Sequence, residues 1–272
     1  MTGCTRAQLR SPRRRPSPRG PARSAVVAAV LVDECDAERR RVLMPRVETQ
    51  LAVRIGPAAR GGVDVAAVGA GRRVHRKVVR GQRTLIARLR LGASEAVLGV
   101  RASEIAGRTV MLEELWGDAA ARRLGDRLAG ARSAADAVAI LGEAIAERAA
   151  RAGRPASAPR LVVAAAERLV GANVGEVADE LGVSPRTLRR VFQDHVGVSP
   201  KAFAQIARFH RALAAARVAP GWASVAAEAG YYDQAHLIAE FRAIAGVTPR
   251  ALLAELAEEA STAPPRDVFL RE

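Results

Sequence analysis

The amino-acid sequence predicts an α+β protein. A mixed β-rich and helical N-terminal domain is expected to precede an all-α domain with two helix-turn-helix units joined by a long helix. Three observations predict this class. Short β-branched segments punctuated by glycine and proline fill residues 25–92, helical patterns follow from residue 93, and a helical unit within residues 160–256 recurs about 49 residues later.

Composition narrows the classes of protein to consider. The 272 residues suffice for one or two domains, and with 3% aromatic residues their interiors must be filled by alanine, valine and leucine. The two cysteines, Cys4 and Cys35, form no CxxC pair, and no metal-binding, nucleotide-binding or nucleophile motif occurs. We therefore expect no metal, no cofactor and no catalysis. No apolar run approaches a membrane span.

The first 24 residues are predicted to be a disordered tail. They carry seven arginines and no acid, and they are rich in proline and serine. Such arginines either stay solvated or contact phosphates non-specifically. The run AVVAAVLV at residues 25–32 suits a buried strand or the apolar region of a signal peptide. Asp33 and Glu34 follow at once without a small-residue cleavage site, which favours the strand.

Residues 25–150 are predicted to form an N-terminal regulatory, sensor-like domain. The predicted strands are Val42–Pro45, Thr49–Ile55, Val63–Val68, Val74–Val79 and Thr84–Leu91. The predicted helical segments are Ala93–Leu98, Ser103–Gly107, Leu112–Gly117, Asp118–Leu128 and Ala134–Arg151. Trp116 either lines a ligand pocket or anchors Leu112 and Leu115. Residues 151–159, RAGRPASAP, read as a linker to the domain at 160–256, and residues 257–272 as a C-terminal tail.

The stretch from Asn173 to Pro200 reads as a helix, a tight turn and a second helix. Apolar residues recur with helical spacing up to Leu181, and Gly182 then ends the pattern as a helix C-terminal glycine does. Ser184 is the predicted N-cap of the second helix, with Pro185 at its first position. Leu188, Val191 and Phe192 supply its buried face, so its arginines are left pointing outward.

This unit is repeated. The segment from Leu188 to Phe192 recurs as Leu237 to Phe241, and Gly197-Val198-Ser199-Pro200 recurs as Gly246-Val247-Thr248-Pro249, both 49 residues on. An amphipathic helix from Pro200 to Arg217 is predicted to join the two units. Two recognition helices on one rigid helix can reach successive major-groove segments about 34 Å apart.

At these residues the chain resembles the AraC/XylS family of bacterial transcription regulators. The resemblance covers Leu161 to Glu255, through the motif from Val177 to Phe192 and the motif from Val225 through Gly230-Tyr231-Tyr232-Asp233-Gln234-Ala235-His236-Leu237 to Gly246-Val247-Thr248-Pro249. The N-terminal part is more weakly similar to a sensor-like domain of some members, at Met44-Pro45 and from Leu98-Gly99-Val100 to Leu115-Trp116-Gly117. Arg46-Val47 stands where such members have Asp-Gly.

The resemblance implies a cytoplasmic, non-enzymatic activator or repressor of transcription whose partner is double-stranded DNA. RNA polymerase and a second copy of the chain are further candidate partners, a small-molecule effector is not identified by the sequence, and no membrane is involved. The residues expected to form the DNA-binding site lie at the start of each recognition helix. They are Ser184, Pro185, Arg186, Thr187, Arg189, Arg190, Asp233, Gln234, Ala235, His236, Ala239 and Glu240.

Charge predicts that the two units play different roles. Residues 184–217 hold seven basic residues and one acid, whereas residues 218–256 hold two basic residues and four acids. We expect the first unit to supply most of the phosphate attraction and the second mainly to test shape and sequence, with Gln234 able to pair with adenine. His236 either donates to a phosphate or only caps or packs. Arg190 either contacts DNA or neutralises Asp194 on its own helix. Tyr231, Trp222 and Phe241 are core candidates.

Two alternatives remain for the N-terminal half. In the first, it is an enzymatic or repair-type domain fused to a DNA-binding module. Such a domain would require a cysteine–metal cluster or a set of nucleophile residues, which Cys4 and Cys35 alone do not supply. Otherwise it serves only dimerisation, without a small ligand. A ligand that raises the melting temperature separates a sensor from a dimerisation domain.

Overall fold

The computed structural model describes residues 26–153, 159–219, 221–262 and 267–270. The predicted tail at 1–24 and most of the predicted linker lie outside these ranges. The strands are β1 Val27–Cys35, β2 Arg39–Leu43, β3 Gln50–Ile55, β4 Val63–Val68, β5 His75–Val79, β6 Gln82–Leu89, β7 Thr109–Met111 and β8 Asp267–Leu270. The helices of the N-terminal part are α1 Ser94–Leu98, α2 Ala102–Ile105, α3 Leu112–Trp116, α4 Asp118–Ala129 and α5 Ala134–Ala152.

Six strands form an antiparallel sheet in the order β7-β4-β3-β6-β1-β8. The valine-rich run after residue 25 becomes β1, in which Val30 and Val32 are buried. One face of the sheet packs against α4 and α5, with Leu141 and Ile145 fully buried in this core. Aliphatic side chains fill the core, as the low aromatic content requires.

A two-stranded arm continues the central ladder of this sheet. Pairing of β1 with β6 ends at Cys35 and Gln82, and pairing resumes between β2 and β5 at Arg39 and Val79. Residues 36–38 and 80–81 separate the two ladders, so the chain bends there. We call β2 and β5 together the arm; it extends from the sheet to the C-terminal domain.

In residues 159–219 and 221–262, which the structure describes, every regular element of the C-terminal domain is an α-helix, and this confirms the predicted fold class. Its helices are α6 Arg160–Arg168, α7 Val174–Glu180, α8 Pro185–Val196, α9 Pro200–Ala215, α10 Trp222–Ala229, α11 Gln234–Ala245 and α12 Pro249–Thr262. Helices α7 and α8 form the first helix-turn-helix unit, α10 and α11 form the second, and α9 joins them. Each unit has its own core, centred on Phe192 and Phe203 in the first and on Phe209 and Phe241 in the second.

The two halves of the chain share these cores. Val42 and Val74, from the arm and the loop before it, are buried in the core of the second unit. The backbone N–H of Val74 donates to the carbonyl of Ile244 at the end of α11, at 2.9 Å. Ala70 is buried in the core of the first unit. The N-terminal domain therefore contacts both helix-turn-helix units directly.

The C-terminal segment differs from the predicted tail. Helix α12 continues past residue 256 to Thr262, and β8 then pairs with the outer edge of β1. An exposed sheet edge offers unpaired backbone donors and acceptors, which is why a short segment can add to it. Prediction missed this strand because its partner lies more than 200 residues away in sequence.

His210 connects α9 to the N-terminal domain, and its environment leads us to expect that folding stability depends on pH. The Nε2 of His210 lies 2.8 Å from the carbonyl oxygen of Pro45, within hydrogen-bond distance. Burial lowers the pKa of the imidazole, although the hydrogen bond to Pro45 acts in the opposite direction. Arg46, Glu48 and Arg88 are the charged groups that act on it. Because the unfolded chain protonates near pH 6.5 and the folded one only at lower pH, stability falls as the pH drops below 6.5.

The expected loss is at most about 1.4 kcal/mol per pH unit, since one proton is involved. His210→Gln keeps an Nε2–H donor for Pro45 but carries no titrating ring, so its melting temperature should fall less between about pH 7 and about pH 5.5. His75→Gln, at an exposed histidine of the arm, is the matched control and should behave as wild type. Identical pH profiles for wild type and His210→Gln would contradict the prediction.

Candidate nucleic-acid interface

In the first unit, capping residues and a turn glycine define where α7 and α8 begin and end. Asn173 caps α7 by accepting from the N–H groups of Gly175 and Glu176. Gly182 has φ 65°, a left-handed conformation that glycine adopts without strain, and turns the chain toward α8. Ser184 is the N-cap of α8, as predicted: its Oγ accepts from the backbone N–H of Thr187 at 3.1 Å, with Pro185 next at the first helical position.

Helix α8 presents a cationic face. Leu188 and Phe192 are fully buried beneath it, which turns Arg186, Arg189 and Arg190 to solvent. Thr187 is half-buried, and its Oγ1 lies 2.9 Å from the Oγ of Ser184. The hydroxyl groups thus fix the helix start, while the three guanidinium groups are exposed. Guanidinium is the group that pairs with phosphate and with the major-groove edge of guanine.

The second unit repeats this construction with different chemistry. Gly230 has φ 83°, and the side chain of Asp233 caps α11 by accepting from the N–H of His236 at 2.7 Å. Gln234, Ala235, His236 and Ala239 are exposed on this helix. The Nδ1 of His236 accepts weakly from the N–H of Tyr232 at 3.4 Å. In its neutral form this histidine therefore presents an Nε2–H donor.

Glu240 does not point outward, and the prediction was wrong on this residue. It is 8% exposed, and its carboxylate accepts two bonds from Arg208 of α9, at 3.2 and 2.6 Å. The reason is the helical period: Glu240 follows Leu237 by three residues and precedes Phe241 and Ile244, so it lies on the buried face. Its carboxylate is held inside the unit and is not exposed beside the recognition face.

The Arg208–Glu240 pair also shapes the surroundings of Tyr231. The guanidinium group of Arg208 lies 5.0 Å from the centre of the tyrosine ring, a cation–π contact. Burial, reinforced by Glu240, raises the pKa of the Tyr231 hydroxyl, so the phenol stays neutral. This cluster fixes α11 against α9. In the sequence, Arg208 is one of several residues of the amphipathic helix predicted from Pro200 to Arg217, and no local pattern distinguishes it.

The structure adds two residues to the exposed faces of the recognition helices. Gln193 continues the row of Arg186 and Arg190 along α8, at helical spacings of four and three. Arg242 occupies the equivalent place on α11, 49 residues later, and is exposed as well. The repeat offset combined with helical periodicity was sufficient to identify both. Arg242 gives the recognition helix of the second unit an exposed cation.

The N-terminal domain packs against the C-terminal end of α8. Arg101 lies 3.9 Å from Asp194, so the side chain considered as a partner for Arg190 faces the other domain. Gly197 has φ 85°, and a Cβ there would come 2.8 Å from the carbonyl oxygen of Ala102 on α2. The start of the recognition helix is thus exposed while its end is fixed by the N-terminal domain.

Other side chains singled out in the sequence belong to cores. Tyr231 and Phe241 are buried in the second unit, and Trp222 packs against them. Trp116 packs against the N-terminal core, where its Nε1–H donates to the carbonyl of Val97 at 2.9 Å. Cys35 is 2% exposed and its thiol donates to the Ala37 carbonyl, an inaccessible position for a nucleophile.

Within the described ranges, none of the helices combines the length and the apolar character that crossing a bilayer requires.

The similarity in sequence to a known family lies in the C-terminal domain. Residues 177–255 match a family model described as a helix-turn-helix domain. This range contains both recognition helices and α9 between them. No curated protein matches the chain.

Several solved structures are similar to this one. The crystal structure of a DNA-binding transcriptional dual regulator from Escherichia coli K-12 is 22% identical, covers 37% of this chain and 95% of its own, and gives a TM-score of 0.32. ToxT from Vibrio cholerae is 8% identical over 83% of this chain and 97% of its own, with a TM-score of 0.43. A structure of ToxT with a bound unsaturated fatty acid gives 7% identity, coverages of 82% and 94%, and a TM-score of 0.41.

Proposed function

We propose that this chain is a transcription regulator of the AraC type that reads two successive major-groove segments of one duplex. Residues 177–255, which match a helix-turn-helix family model, form its DNA-binding part. The observation that carries the proposal is the pair of equivalent recognition helices. Each begins at a side-chain cap, exposes its first residues and is buried on its opposite face. The N-terminal residues of such helices contact base edges in known complexes.

The two helices contribute different terms to binding. On α8, Arg186, Arg189 and Arg190 neutralise phosphates or fork onto guanine, and Ser184, Pro185 and Thr187 set the helix start from which they project. On α11, Gln234 and His236 carry groups that can bond to base edges, while Ala235 and Ala239 permit close approach. Asp233 keeps its carboxylate on the helix N-terminus. Binding, not catalysis, is the activity.

Alanine variants of the two helices test this division of roles on a duplex selected from genomic fragments. Arg189→Ala should weaken binding about tenfold and reduce the slope of affinity against salt by about 1, since a cation contact is lost. Gln234→Ala should weaken binding to the selected sequence by a factor of about 10 and leave the salt slope unchanged, since an uncharged contact is lost. Fluorescence anisotropy at several salt concentrations measures both quantities.

Arg123→Ala on α4 is the matched control, because it removes the same charge from an exposed position of the N-terminal domain. It should leave affinity and slope close to wild type. Equal losses and equal slopes for Arg189→Ala and Gln234→Ala would contradict the division of roles. No specific binding by wild type would overturn the function itself.

We further propose that the N-terminal domain modulates this binding, since it contacts both units through α2 and the arm. A ligand or a second copy of the chain that changes this docking would change the placement of the recognition helices. RNA polymerase is a further partner expected of a transcription regulator, and the cytoplasm is where its DNA would be met.

A further inference from the structure

The N-terminal domain covers one face of α9, and its contacts indicate which face of that helix remains open. The carbonyl oxygen of Pro45 lies 2.8 Å from the Nε2 of His210. The guanidinium group of Arg72 donates to the Oε1 of Gln205 at 3.5 Å. Successive residues of an α-helix are about 100° apart around its axis, so Arg211 lies about 100° from His210 and about 120° from Gln205. Arg211 is therefore on the face of α9 that is turned away from the N-terminal domain.

Both recognition helices have their last turn against the N-terminal domain. The end of α8 contacts α2, as described above. At the end of α11, the carbonyl oxygen of Ile244 accepts from the N–H of Val74 at 2.9 Å. The carbonyl oxygen of Ala245 accepts from the Nη1 of Arg76 at 3.0 Å. The first turns of α8 and α11 thus lie away from that domain, and a duplex that contacts both of them approaches α9 on the face that carries Arg211.

Arg211 places an unpaired cation beside the turn of the second unit. Its Nη2 lies 3.4 Å from the position that a Cβ on Gly230 would take, so the guanidinium group rests against the turn between α10 and α11. Within the ranges that the structure describes, Arg211 forms no hydrogen bond and no ion pair, whereas Arg208 on the same helix is paired with Glu240. Of the guanidinium nitrogens of Arg211, only Nε is buried without an acceptor. The two Nη nitrogens are therefore the ones that a ligand can reach.

The same turn exposes a large aromatic side chain. Tyr232 is 93% exposed, while Tyr231 before it is buried in the core of the second unit. Tyr232 follows Gly230 by two residues, so its Cα is at most about 7 Å from the Cα of that glycine. A tyrosine at the surface offers a hydroxyl group that donates to phosphate oxygens. The turn thus presents a cation and a neutral donor at the start of α11.

We propose that Arg211 and Tyr232 bind the phosphodiester backbone of DNA beside the groove segment that α11 reads. This inference rests on the proposed function and names a contact that holds the second unit on the duplex. Residues 218–256 carry two basic residues and four acids, so the second unit obtains this cation from the joining helix. Guanidinium binds phosphate through two parallel hydrogen bonds. Because phosphate contacts fix register and orientation, this contact positions α11 in the groove.

Substitutions in the full chain test the contact on two duplexes, the selected one and an unrelated sequence of equal length. Arg211→Gln should weaken binding to both about tenfold and reduce the slope of affinity against salt by about 1, since a phosphate contact is independent of sequence. Arg211→Lys should keep the slope because it keeps the charge. Arg123→Gln, at an exposed position of α4, is the matched control and should bind as wild type.

Tyr232→Phe removes only a hydroxyl group from an exposed side chain and so leaves the fold intact. It should weaken binding about fivefold with an unchanged salt slope, since a neutral hydrogen bond is lost. Ethylation of individual phosphates then locates the contact. In wild type, ethylation beside the α11 segment should interfere with binding, and Arg211→Gln should lose that interference at one position while keeping it elsewhere.

A loss of affinity by Arg211→Gln with unchanged slope and unchanged interference would overturn the contact, because Arg211 would then only support the turn. Unchanged binding by Tyr232→Phe would remove the tyrosine from it. If wild type bound both duplexes equally and Arg211→Gln still reduced the slope, the contact would stand and the proposed reading of sequence would fail. Selective binding by wild type with an unchanged slope for Arg211→Gln would discard the contact alone, and binding to neither duplex would discard both.

Discussion

Arg208→Ala is expected to destabilise the protein by about 3–5 kcal/mol, because it leaves the buried carboxylate of Glu240 without its cation. Glu240 has a side-chain exposure of 6%, and Arg208 is its ion-pair partner at 2.6 Å. Glu240→Ala should cost less, since the side chain of Arg208 is 22% exposed and can turn toward solvent. Urea unfolding followed by circular dichroism measures the loss.

The exposed pair of Arg127 and Glu143 supplies the control. Its nitrogen–oxygen distance of 2.7 Å is close to the 2.6 Å of the buried pair, but both of its side chains are more than 40% exposed. Arg127→Ala should therefore cost at most about 1 kcal/mol. The double variant Arg208→Ala/Glu240→Ala should be more stable than Arg208→Ala, since it removes the orphaned charge. Equal losses for Arg208→Ala and Arg127→Ala would show that the pair does not hold α11.

Arg208→Ala should also weaken DNA binding without changing the salt dependence of that binding. Arg208 lies on α9, and its guanidinium group is committed to Glu240 and Tyr231. Its loss alters the position of α11 relative to α8, and a small displacement of one recognition helix reduces simultaneous contact with two groove segments. A reduced salt slope would instead indicate that Arg208 contacts phosphate.

Gly197→Ala is expected to destabilise the docking of the first unit on the N-terminal domain by about 2–4 kcal/mol, the sum of backbone strain and overpacking. At φ 85° any side chain is strained, and the new Cβ would lie 2.8 Å from a backbone oxygen of α2 that cannot move as a side chain can. The C-terminal end of α8 would therefore separate from Ala102. Differential unfolding and limited proteolysis both detect that separation.

The internal repeat provides an unusually close control at Gly246. This glycine ends α11 as Gly197 ends α8, with φ 75°, and a Cβ there meets nothing within 4 Å. Gly246→Ala should therefore cost only the backbone strain, about 1–2 kcal/mol. A difference of about 1 kcal/mol or more between the two variants measures the contact with α2. Equal losses would mean that the N-terminal domain yields at this contact.

Much of the C-terminal domain was predictable because its signals are local. A cap, a proline at the first helical position and a terminal glycine each act within one turn of helix, and the 49-residue repeat places them twice. The same local signals predict Ser184 as the cap of α8 and leave the arginines of that helix exposed. Strands of the N-terminal domain were also located, but their pairing partners were not, because pairing depends on contacts distant in sequence.

Only the tertiary structure decided which side chains of different elements contact each other. The burial of Glu240 follows from its pairing with Arg208, which is 32 residues away, and the pairing of Arg41 with Glu259 spans 218 residues. No local pattern encodes such distances. The sequence determined which helices form, where they begin and which side chains they expose. Packing of the arm and α2 against the two units decided the positions of those helices relative to the N-terminal domain. Local propensities are the same in every such arrangement, so only contacts between residues distant in sequence select one of them.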